Sequence, residues 1–204
     1  MRVVPSGNSF LPILSYLSGT MYHDPAQVYQ PEADTFLLLR VALSEVRPTD
    51  RVLEIGTGSG TVAAGLPEPS RIIVTDINPH AAVCARAKGL EVIRTDLFAG
   101  ICGSFDLILF NPPYLPTKPE ERIDDWLEYA LDGGITGREA IQLFAEGAGR
   151  LLAPGGRILL LISSLTGLAE VSAIFERYGY RVSSVAEEPV EDEILYVLRI
   201  TRPH

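Results

Sequence analysis

Cysteine and histidine are scarce in this sequence, and their positions do not form the usual metal or disulfide patterns. Two cysteines, Cys84 and Cys102, stand alone, and three histidines, His23, His80 and His204, show no ligand spacing. Because there is no C-x-x-C pair, we predict neither a disulfide framework nor a metal site. Isolated cysteines are typical of proteins from the reducing cytoplasm, which is where we expect this one.

Long apolar runs and an excess of basic residues are also missing. No apolar stretch approaches the roughly 20 residues that a membrane helix requires. The net charge of -9 argues against a protein that gains its affinity from nucleic-acid phosphates. With 204 residues, 47% hydrophobic and 21% charged, the chain can build a sizeable core. We therefore expect one domain, with or without a short appendage.

The first twenty residues differ in character from the rest. Arg2 precedes a patchy apolar run over residues 10–17, which Pro12 interrupts. One basic residue and an internal proline make this a poor match to a signal peptide. We interpret residues 1–20 as a flexible N-terminal extension, or Met21 as the working start, and residues 21–204 as the folded domain.

Strand-like and helix-like segments alternate through the remainder of the chain. A mostly apolar helix, with Pro31 near its start and Pro48 beyond its end, should be buried and should precede the first strand. The predicted strands are residues 51–55, 71–75, 90–94, 106–110, 157–162, 180–186 and 194–200. Helices between strands indicate βαβ units, whereas the short link between the last two strands makes them antiparallel. We predict an α/β fold with a seven-stranded, mostly parallel sheet and helices on both faces.

Residues 115–138 interrupt this alternation and are predicted to be an irregular insertion. A helix over residues 139–152 should follow, ended by residues 154–156, which read Pro-Gly-Gly. Trp126 in the insertion is either an anchor in a lid over the substrate or a packed surface aromatic. The acidic run at residues 187–193 is predicted to be a solvated turn.

The strongest chemical signal is the stretch FDLILFNPPY at residues 105–114. Its apolar half predicts a buried strand, so Asn111 falls at the strand end where parallel sheets bind ligands. Pro112 and Pro113 lack an N–H and have a fixed φ, so they offer rigid carbonyl acceptors, to which the Asn111 oxygen adds another. Two acceptors beside the Tyr114 ring could hold a planar NH2 group. The alternative is an ordinary Asn-Pro turn.

A glycine-rich loop at residues 54–60 indicates a nucleotide-like cofactor. Gly56 and Gly58 follow the first predicted strand and let the backbone turn tightly and approach a ligand. Asp76 ends the second strand, twenty residues after Gly56, where an acidic side chain accepts hydrogen bonds from ribose hydroxyls. This pattern fits NAD as well as S-adenosyl-L-methionine.

Two details favour S-adenosyl-L-methionine. Thr61 stands where a dinucleotide-binding loop has its third glycine or an alanine. The carboxylate of Glu54 would repel a pyrophosphate but would tolerate a cationic amino-acid tail. Asp96, at the end of the third strand, could accept a hydrogen bond from an adenine amino group, with Ile77 and Leu97 on either side of the ring. The alternative is that the two aspartates are ordinary turn residues.

Together these motifs resemble the HemK/PrmC-type protein-glutamine methyltransferases, which are class I S-adenosylmethionine-dependent enzymes with a Rossmann-like fold. The resemblance covers about residues 28–165. The matching segments are Pro31-x-x-Asp34-Thr35, Leu53-Glu54-Ile55-Gly56-Thr57-Gly58-Ser59-Gly60, Thr75-Asp76-Ile77-Asn78-Pro79, Thr95-Asp96-Leu97-Phe98, Phe110-Asn111-Pro112-Pro113-Tyr114 and Gly133-Gly134-x-x-Gly137-Arg138-Glu139.

The resemblance implies methylation of the glutamine amide in the Gly-Gly-Gln loop of a class 1 translation release factor. The 204 residues contain no counterpart of the helical domain that precedes the catalytic domain of bacterial members, so they resemble the single-domain archaeal and eukaryotic branch. That branch implies a small zinc-binding activator subunit on the sheet edge, predicted here as residues 90–94. An apolar edge strand needs such cover.

The roles expected of individual residues follow from the motifs and the resemblance. The Asn111 oxygen and the Pro112 carbonyl should accept the two amide hydrogens, while Tyr114 packs on the side chain that is methylated. Asp34 and Thr35 should close the cofactor pocket, and no histidine or lysine is placed to act as a base. The cofactor is expected to contact Thr35, Glu54, Gly56, Gly58, Asp76, Ile77, Asp96, Leu97 and Asn111. The substrate is expected to contact Asn111, Pro112, Pro113 and Tyr114.

Two other functions use the same features. Methylation of an adenine or guanine amino group shares the Asn111 chemistry, but it predicts a basic face or a target-recognition domain, and the sequence has neither. A non-catalytic module would keep the cofactor pocket without transferring the methyl group. We expect no membrane, no metal and no direct nucleic-acid binding.

Overall fold

The computed structural model describes residues 23–118, 120, 122 and 125–203. The predicted extension over residues 1–20, and Met21, lie outside this range. Across the described residues, helices are too short or too polar to cross a membrane.

The strands of the described chain form one seven-stranded sheet, as predicted. The strands are β1 (Arg51–Ile55), β2 (Arg71–Asp76), β3 (Glu91–Arg94), β4 (Phe105–Phe110), β5 (Leu152–Ser163), β6 (Arg181–Val190) and β7 (Glu193–Thr201). Their order is β3-β2-β1-β4-β5-β7-β6. In this sheet β7 runs antiparallel to both of its neighbours, and the other pairings are parallel. The carboxyl ends of β1, β2 and β4 therefore meet at one edge.

Helices cover both faces of the sheet. They are α1 (Ala33–Glu45), α2 (Thr61–Gly65), α3 (Pro79–Ala87), α4 (Trp126–Leu131), α5 (Glu139–Ala148) and α6 (Leu168–Arg177), with 3₁₀ turns at Pro25–Gln27 and Ser164–Thr166. The side chains of β4 alternate between the faces. Ile108 and Phe110 pack in the cluster that contains α5 and α6, whereas Leu107 and Leu109 pack in the cluster that contains α1.

A buried arginine fixes α1 to the sheet. Arg157 on β5 forms ion pairs with Glu45 at the end of α1, at 3.2 Å, and with Asp50 before β1, at 2.8 Å. It also donates to the Asp106 carbonyl oxygen at 3.1 Å. Because all three side chains of these ion pairs are nearly inaccessible, removing one partner would leave a buried charge uncompensated. The position of α1 matters because its first turn carries Asp34 and Thr35.

Four sequence predictions about the elements were wrong. The acidic run at residues 187–193 is mostly strand, since β6 continues to Val190 and β7 begins at Glu193. Residues 115–138 contain a helix, α4, which Asp125 caps by accepting from the Glu128 N–H at 2.7 Å. The predicted helix 139–152 ends at Ala148, and β5 begins at Leu152, because an irregularity in its register with β4 accommodates the Pro-Gly-Gly segment. Helix α1, predicted to be apolar nearly all round and well buried, has an exposed side on which Phe36 is 52% exposed.

Candidate active site

One cavity of about 570 Å³ lies at the carboxyl ends of β1, β2 and β4. All of the predicted site residues line it: Thr35, Glu54, Gly56, Gly58, Asp76, Ile77, Asp96, Leu97, Asn111, Pro112, Pro113 and Tyr114. Residues from five separate segments are thus brought together by the sheet topology. None of the residues described at this cavity is a histidine or a lysine.

Asn111 presents a buried acceptor at the end of β4. Its Nδ2 atom donates a hydrogen bond to Oδ2 of Asp34 at 3.0 Å. Its Oδ1 atom is buried and has no hydrogen-bond partner among the described residues. Since a carboxylate oxygen only accepts, this contact turns the amide nitrogen toward Asp34 and leaves the oxygen as the free acceptor. A buried unpaired acceptor is costly, which is why such atoms mark functional sites.

Asp34 is held in place by further donors. Its Oδ2 atom also accepts from the Tyr29 hydroxyl at 3.0 Å. Its Oδ1 atom accepts from the Thr35 N–H at 2.5 Å and from the Thr35 hydroxyl at 3.2 Å. Asp34 lies in the first turn of α1, where the helix dipole favours negative charge. The carboxylate therefore has a fixed orientation, and Asp34 is only 3% exposed.

Two tyrosines beside this carboxylate remain hydrogen-bond donors. Burial, and next the negative charge of Asp34, raise the pKa of Tyr29 and of Tyr114 well above the usual value of a phenol. Both hydroxyls therefore stay protonated at physiological pH. Tyr29 was not among the predicted site residues, although it lies only five residues before Asp34.

The glycines of the Gly-Gly-x-x-Gly segment hold the backbone of Tyr114. A Cβ atom on Gly133 would lie 2.9 Å from the Tyr114 Cα atom, and one on Gly137 would lie 2.4 Å from the Tyr114 carbonyl oxygen. Arg138 then donates to the Thr166 carbonyl oxygen at 2.5 Å, which ties the segment to the turn after β5. These glycines thus allow a close backbone contact that positions the end of the Asn-Pro-Pro-Tyr segment.

The Glu54 carboxylate braces the glycine loop. Its Oε2 atom accepts from the Thr57 hydroxyl at 2.9 Å and from the Ala63 N–H, at the start of α2, at 3.1 Å. In dinucleotide sites the N–H groups at this place face a phosphate. Here a carboxylate already occupies one of them, so the loop disfavours a pyrophosphate. Burial raises the pKa of Glu54 to about 7.

Asp76 links the glycine loop to the turn after β2. One carboxylate oxygen accepts from the Gly58 N–H and the other from the Asn78 N–H, each at 2.8 Å. Each oxygen keeps a lone pair for a ligand hydroxyl. Burial raises the pKa of Asp76 to about 6, and these backbone hydrogen bonds oppose the increase.

The predicted adenine region has one strained residue. Leu97 has a φ of 46° and is the sole non-glycine residue of the described chain with a positive φ. Its carbonyl oxygen accepts from the Thr75 hydroxyl at 2.9 Å, which helps to hold this conformation. Strained backbone of this kind is concentrated at ligand sites. Leu97 and Ile77 are half-buried, whereas Asp96 is exposed and its predicted contact with adenine stays a prediction.

Residues 24–30 form a strap beside the cavity that the sequence did not reveal. Gln27 joins two other elements to this strap: its carbonyl oxygen accepts from Asn78 Nδ2 at 2.7 Å, and its Oε1 atom accepts from the Trp126 N–H at 3.0 Å. Trp126 itself lines the cavity, and the Arg94 guanidinium lies 5.8 Å from the centre of its ring. No local sequence pattern links these distant residues.

These features fit S-adenosylmethionine. The cavity combines a buried carboxylate with free lone pairs, apolar walls at Ile77 and Leu97, and a carboxylate in place of phosphate-binding N–H groups. In the described part of the chain, His, Cys, Asp and Glu side chains form no cluster that could hold a metal ion.

The close contact at Gly137 can be separated from backbone strain by comparison with Gly155. Both have a positive φ, 70° and 73°, but a Cβ atom on Gly155 would have no neighbour within 4 Å among the residues that the structure describes. Alanine at either position costs about 1–2 kcal/mol of backbone strain. We expect Gly137→Ala to lower the free energy of unfolding by at least about 1 kcal/mol more than Gly155→Ala, because it also displaces Tyr114. The losses in the two variants are measured by urea denaturation monitored by circular dichroism. Equal losses would contradict the close contact at Gly137.

The buried acids should give the ligand-free protein an unusual pH dependence. The pKa of Glu54 is about 7 and that of Asp76 about 6 in the folded chain, against about 4 when unfolded. The folded state therefore binds extra protons between these values, and stability falls as the pH rises through this window. We expect a larger free energy of unfolding near about pH 5 than near about pH 8, by a margin that Glu54→Gln reduces. Urea titrations of both proteins across this pH range measure the two free energies of unfolding. If the difference between wild type and Glu54→Gln did not change with pH, the prediction would be refuted.

Known proteins resemble this chain in sequence and in fold. Models of protein families gave no match. The chain is 39% identical over 184 residues to a Methanocaldococcus jannaschii protein, MJ0928, provisionally named a protein N5-glutamine methyltransferase; the alignment covers 86% of this chain and 92% of that protein. It is 34% identical over 194 residues to methyltransferase HEMK2 of Homo sapiens, covering 87% and 91% of the two chains.

A solved structure shares the fold. It is the E. cuniculi Mtq2–Trm112 complex, described as responsible for methylation of the eRF1 translation termination factor. The TM-score is 0.73 at 27% identity, over 87% of this chain and 99% of that one. With relatives of this identity and coverage, the chain belongs to the HemK-type protein N5-glutamine methyltransferases, within the class I S-adenosylmethionine-dependent methyltransferases.

Proposed function

We propose that this chain methylates the side-chain amide nitrogen of the glutamine in the Gly-Gly-Gln loop of a class 1 translation release factor, in the cytoplasm. The observation that carries the proposal is the buried Oδ1 atom of Asn111 at the cavity, which has no hydrogen-bond partner within residues 23–118, 120, 122 and 125–203. The name of the M. jannaschii relative and the activity of the E. cuniculi complex support the choice of substrate.

The residues at the end of β4 would orient the amide. Asn111 Oδ1 and the Pro112 carbonyl oxygen would accept its two N–H hydrogens, which directs the nitrogen lone pair at the methyl group and stabilises the positive charge that develops. Tyr114 would pack on the glutamine side chain. The bound S-adenosylmethionine supplies a methyl group activated by its positive sulfur.

No general base is needed in this scheme. Over the reaction the amide nitrogen exchanges one hydrogen for the methyl group, and the proton passes to water. The carboxyl and hydroxyl groups near Asn111 are engaged with one another, and the described cavity is lined by neither histidine nor lysine. Acceleration would then come mainly from positioning of the two reactants.

Asn111→Ala should abolish transfer with little effect on the cofactor. Loss of one preorganised electrostatic group lowers turnover by about 100-fold or more, whereas affinity for S-adenosylhomocysteine should stay within about threefold. Turnover is measured as transfer of labelled methyl to purified release factor, with tRNA, rRNA and DNA as parallel acceptors. Affinity for S-adenosylhomocysteine is measured by calorimetry.

Three outcomes of that experiment would contradict the proposal in whole or in part. Wild-type turnover in Asn111→Ala would exclude the proposed role of the amide. Labelling of a nucleic acid, in place of the release factor, would favour methylation of a base amino group. Cofactor binding without transfer to any of these acceptors would favour a non-catalytic module.

We also propose that a small zinc-binding activator subunit pairs with β3. This strand lies at the edge of the sheet, and Ile93 on it is 37% exposed. An open strand edge with an apolar side chain favours pairing with another chain. The E. cuniculi relative was solved as a complex of two proteins, Mtq2 and Trm112, which supports a partner of this kind.

Ile93→Asp should weaken binding of the activator because it places a charge in the paired edge. Leu43→Asp is the matched control, since Leu43 is an exposed apolar residue on α1, away from β3. We expect at least about a tenfold loss of affinity for the first and less than about a twofold change for the second, by calorimetry with purified subunit. Equal behaviour of the two variants would place the interface elsewhere.

A further inference from the structure

We propose that Asp34 is a positioning residue that makes the site selective for an amide over a carboxylate. It does so by fixing whether the oxygen or the nitrogen of the Asn111 side chain points to the substrate. The inference rests on the proposed function and goes beyond it. An asparagine amide can present either an acceptor or a donor, and the two differ by a simple rotation. Something must therefore decide which one faces the cavity.

The hydrogen bonds around Asp34 determine this orientation. Its Oδ2 atom lies 3.0 Å from Asn111 Nδ2, and this oxygen has no hydrogen to donate. If Asn111 turned over, two acceptors would face each other. The Oδ1 atom of Asn111 is left buried without a partner in the described part of the chain, at the end of β4 beside Pro112.

Asp34 cannot itself turn to relieve such a clash. Its other oxygen is held by the N–H and the hydroxyl of Thr35, and Tyr29 donates to the same oxygen as Asn111. The carboxylate is buried in the first turn of α1, and the Arg157 ion pairs fix the far end of that helix. The orientation of Asn111 is therefore set by the scaffold and is independent of the substrate.

This orientation determines what the site can bind. An acceptor at Asn111 and a second at Pro112 match an NH2 group, whereas a glutamate carboxylate would bring oxygen against oxygen. Sites that leave buried polar groups unpaired reject the wrong ligand strongly. The Asp34 carboxylate thus acts on specificity without touching the substrate.

Asp34→Asn tests this with almost no change of shape. The N–H of Thr35 requires an acceptor, so the new NH2 group should take the place of Oδ2 and face Asn111. Asn111 would then turn over and present its NH2 group to the substrate. We expect turnover to fall by about 100-fold, while affinity for S-adenosylhomocysteine stays within about threefold.

The exchange of the two side chains gives a sharper test. Asn111→Asp alone places two carboxylates side by side and should also lose turnover. In the double variant Asp34→Asn/Asn111→Asp, the amide at position 34 donates to the carboxylate at position 111, whose second oxygen again offers an acceptor. We expect the double variant to recover at least about tenfold of turnover over either single variant. A purely structural role for Asp34 would give additive losses.

Selectivity for glutamine over glutamate can be measured from binding alone, without catalysis. Binding of release factor is compared with binding of the same factor carrying glutamate in place of the Gly-Gly-Gln glutamine, by calorimetry with the full chain and its activator. Wild type should prefer glutamine, and Asp34→Asn should lose at least about tenfold of that preference. Thermal unfolding checks that each variant is folded.

The outcomes separate this inference from the proposed function. If Asn111→Ala loses transfer but Asp34→Asn keeps turnover and selectivity within about twofold, the role of Asp34 is refuted and the function stands. If Asn111→Ala keeps wild-type turnover on the release factor, the roles of Asn111 and of Asp34 are both refuted, whereas methylation of the release factor stands. Rescue in the exchanged variant supports the inference directly.

Discussion

The hydrogen bond between Asn111 and Asp34 connects two elements that are 77 residues apart in sequence and that carry the chemistry of the site. Asn111 directly follows the last residue of β4, and Asp34 lies in the first turn of α1. Its geometry requires that the strand, the helix and the turn after β4 each be rigid. Two prolines stiffen the turn, the glycines at 133 and 137 hold it from one side, and Arg157 anchors the helix. The site is thus a product of the packing of the whole domain.

A second constraint is the burial of acidic groups where a cationic ligand binds. Glu54 and Asp76 sit at the ends of β1 and β2, and both are almost inaccessible. Their hydrogen bonds to Thr57, Gly58 and backbone N–H groups shape the glycine loop before any ligand arrives. Burial of these two carboxylates lowers the stability of the ligand-free protein, but their hydrogen bonds preform the loop. Preformed sites lose less conformational entropy on binding.

Most of the fold and the chemical identity of the site could be predicted from local sequence. Strands β1 to β4 are short apolar runs with clear ends, and the residues after them carry distinctive side chains. Prediction failed where distant contacts decide the structure: α4 is short and is held by Gln27 and its Asp125 cap, and β5 passes through Pro-Gly-Gly because its register with β4 is irregular. The partnership of Tyr29 and Asn111 with Asp34 was invisible for the same reason. Sequence patterns report which faces are apolar, but not which polar atoms meet.

Leu97 shows how such a site limits the protein's evolution. Its left-handed backbone would be relaxed by glycine, the replacement that a search for greater stability would choose first. Yet glycine would remove an apolar wall of the cavity and loosen the turn that Thr75 holds. Mutations that relieve this strain should therefore gain stability but lower activity, so selection for activity would oppose them.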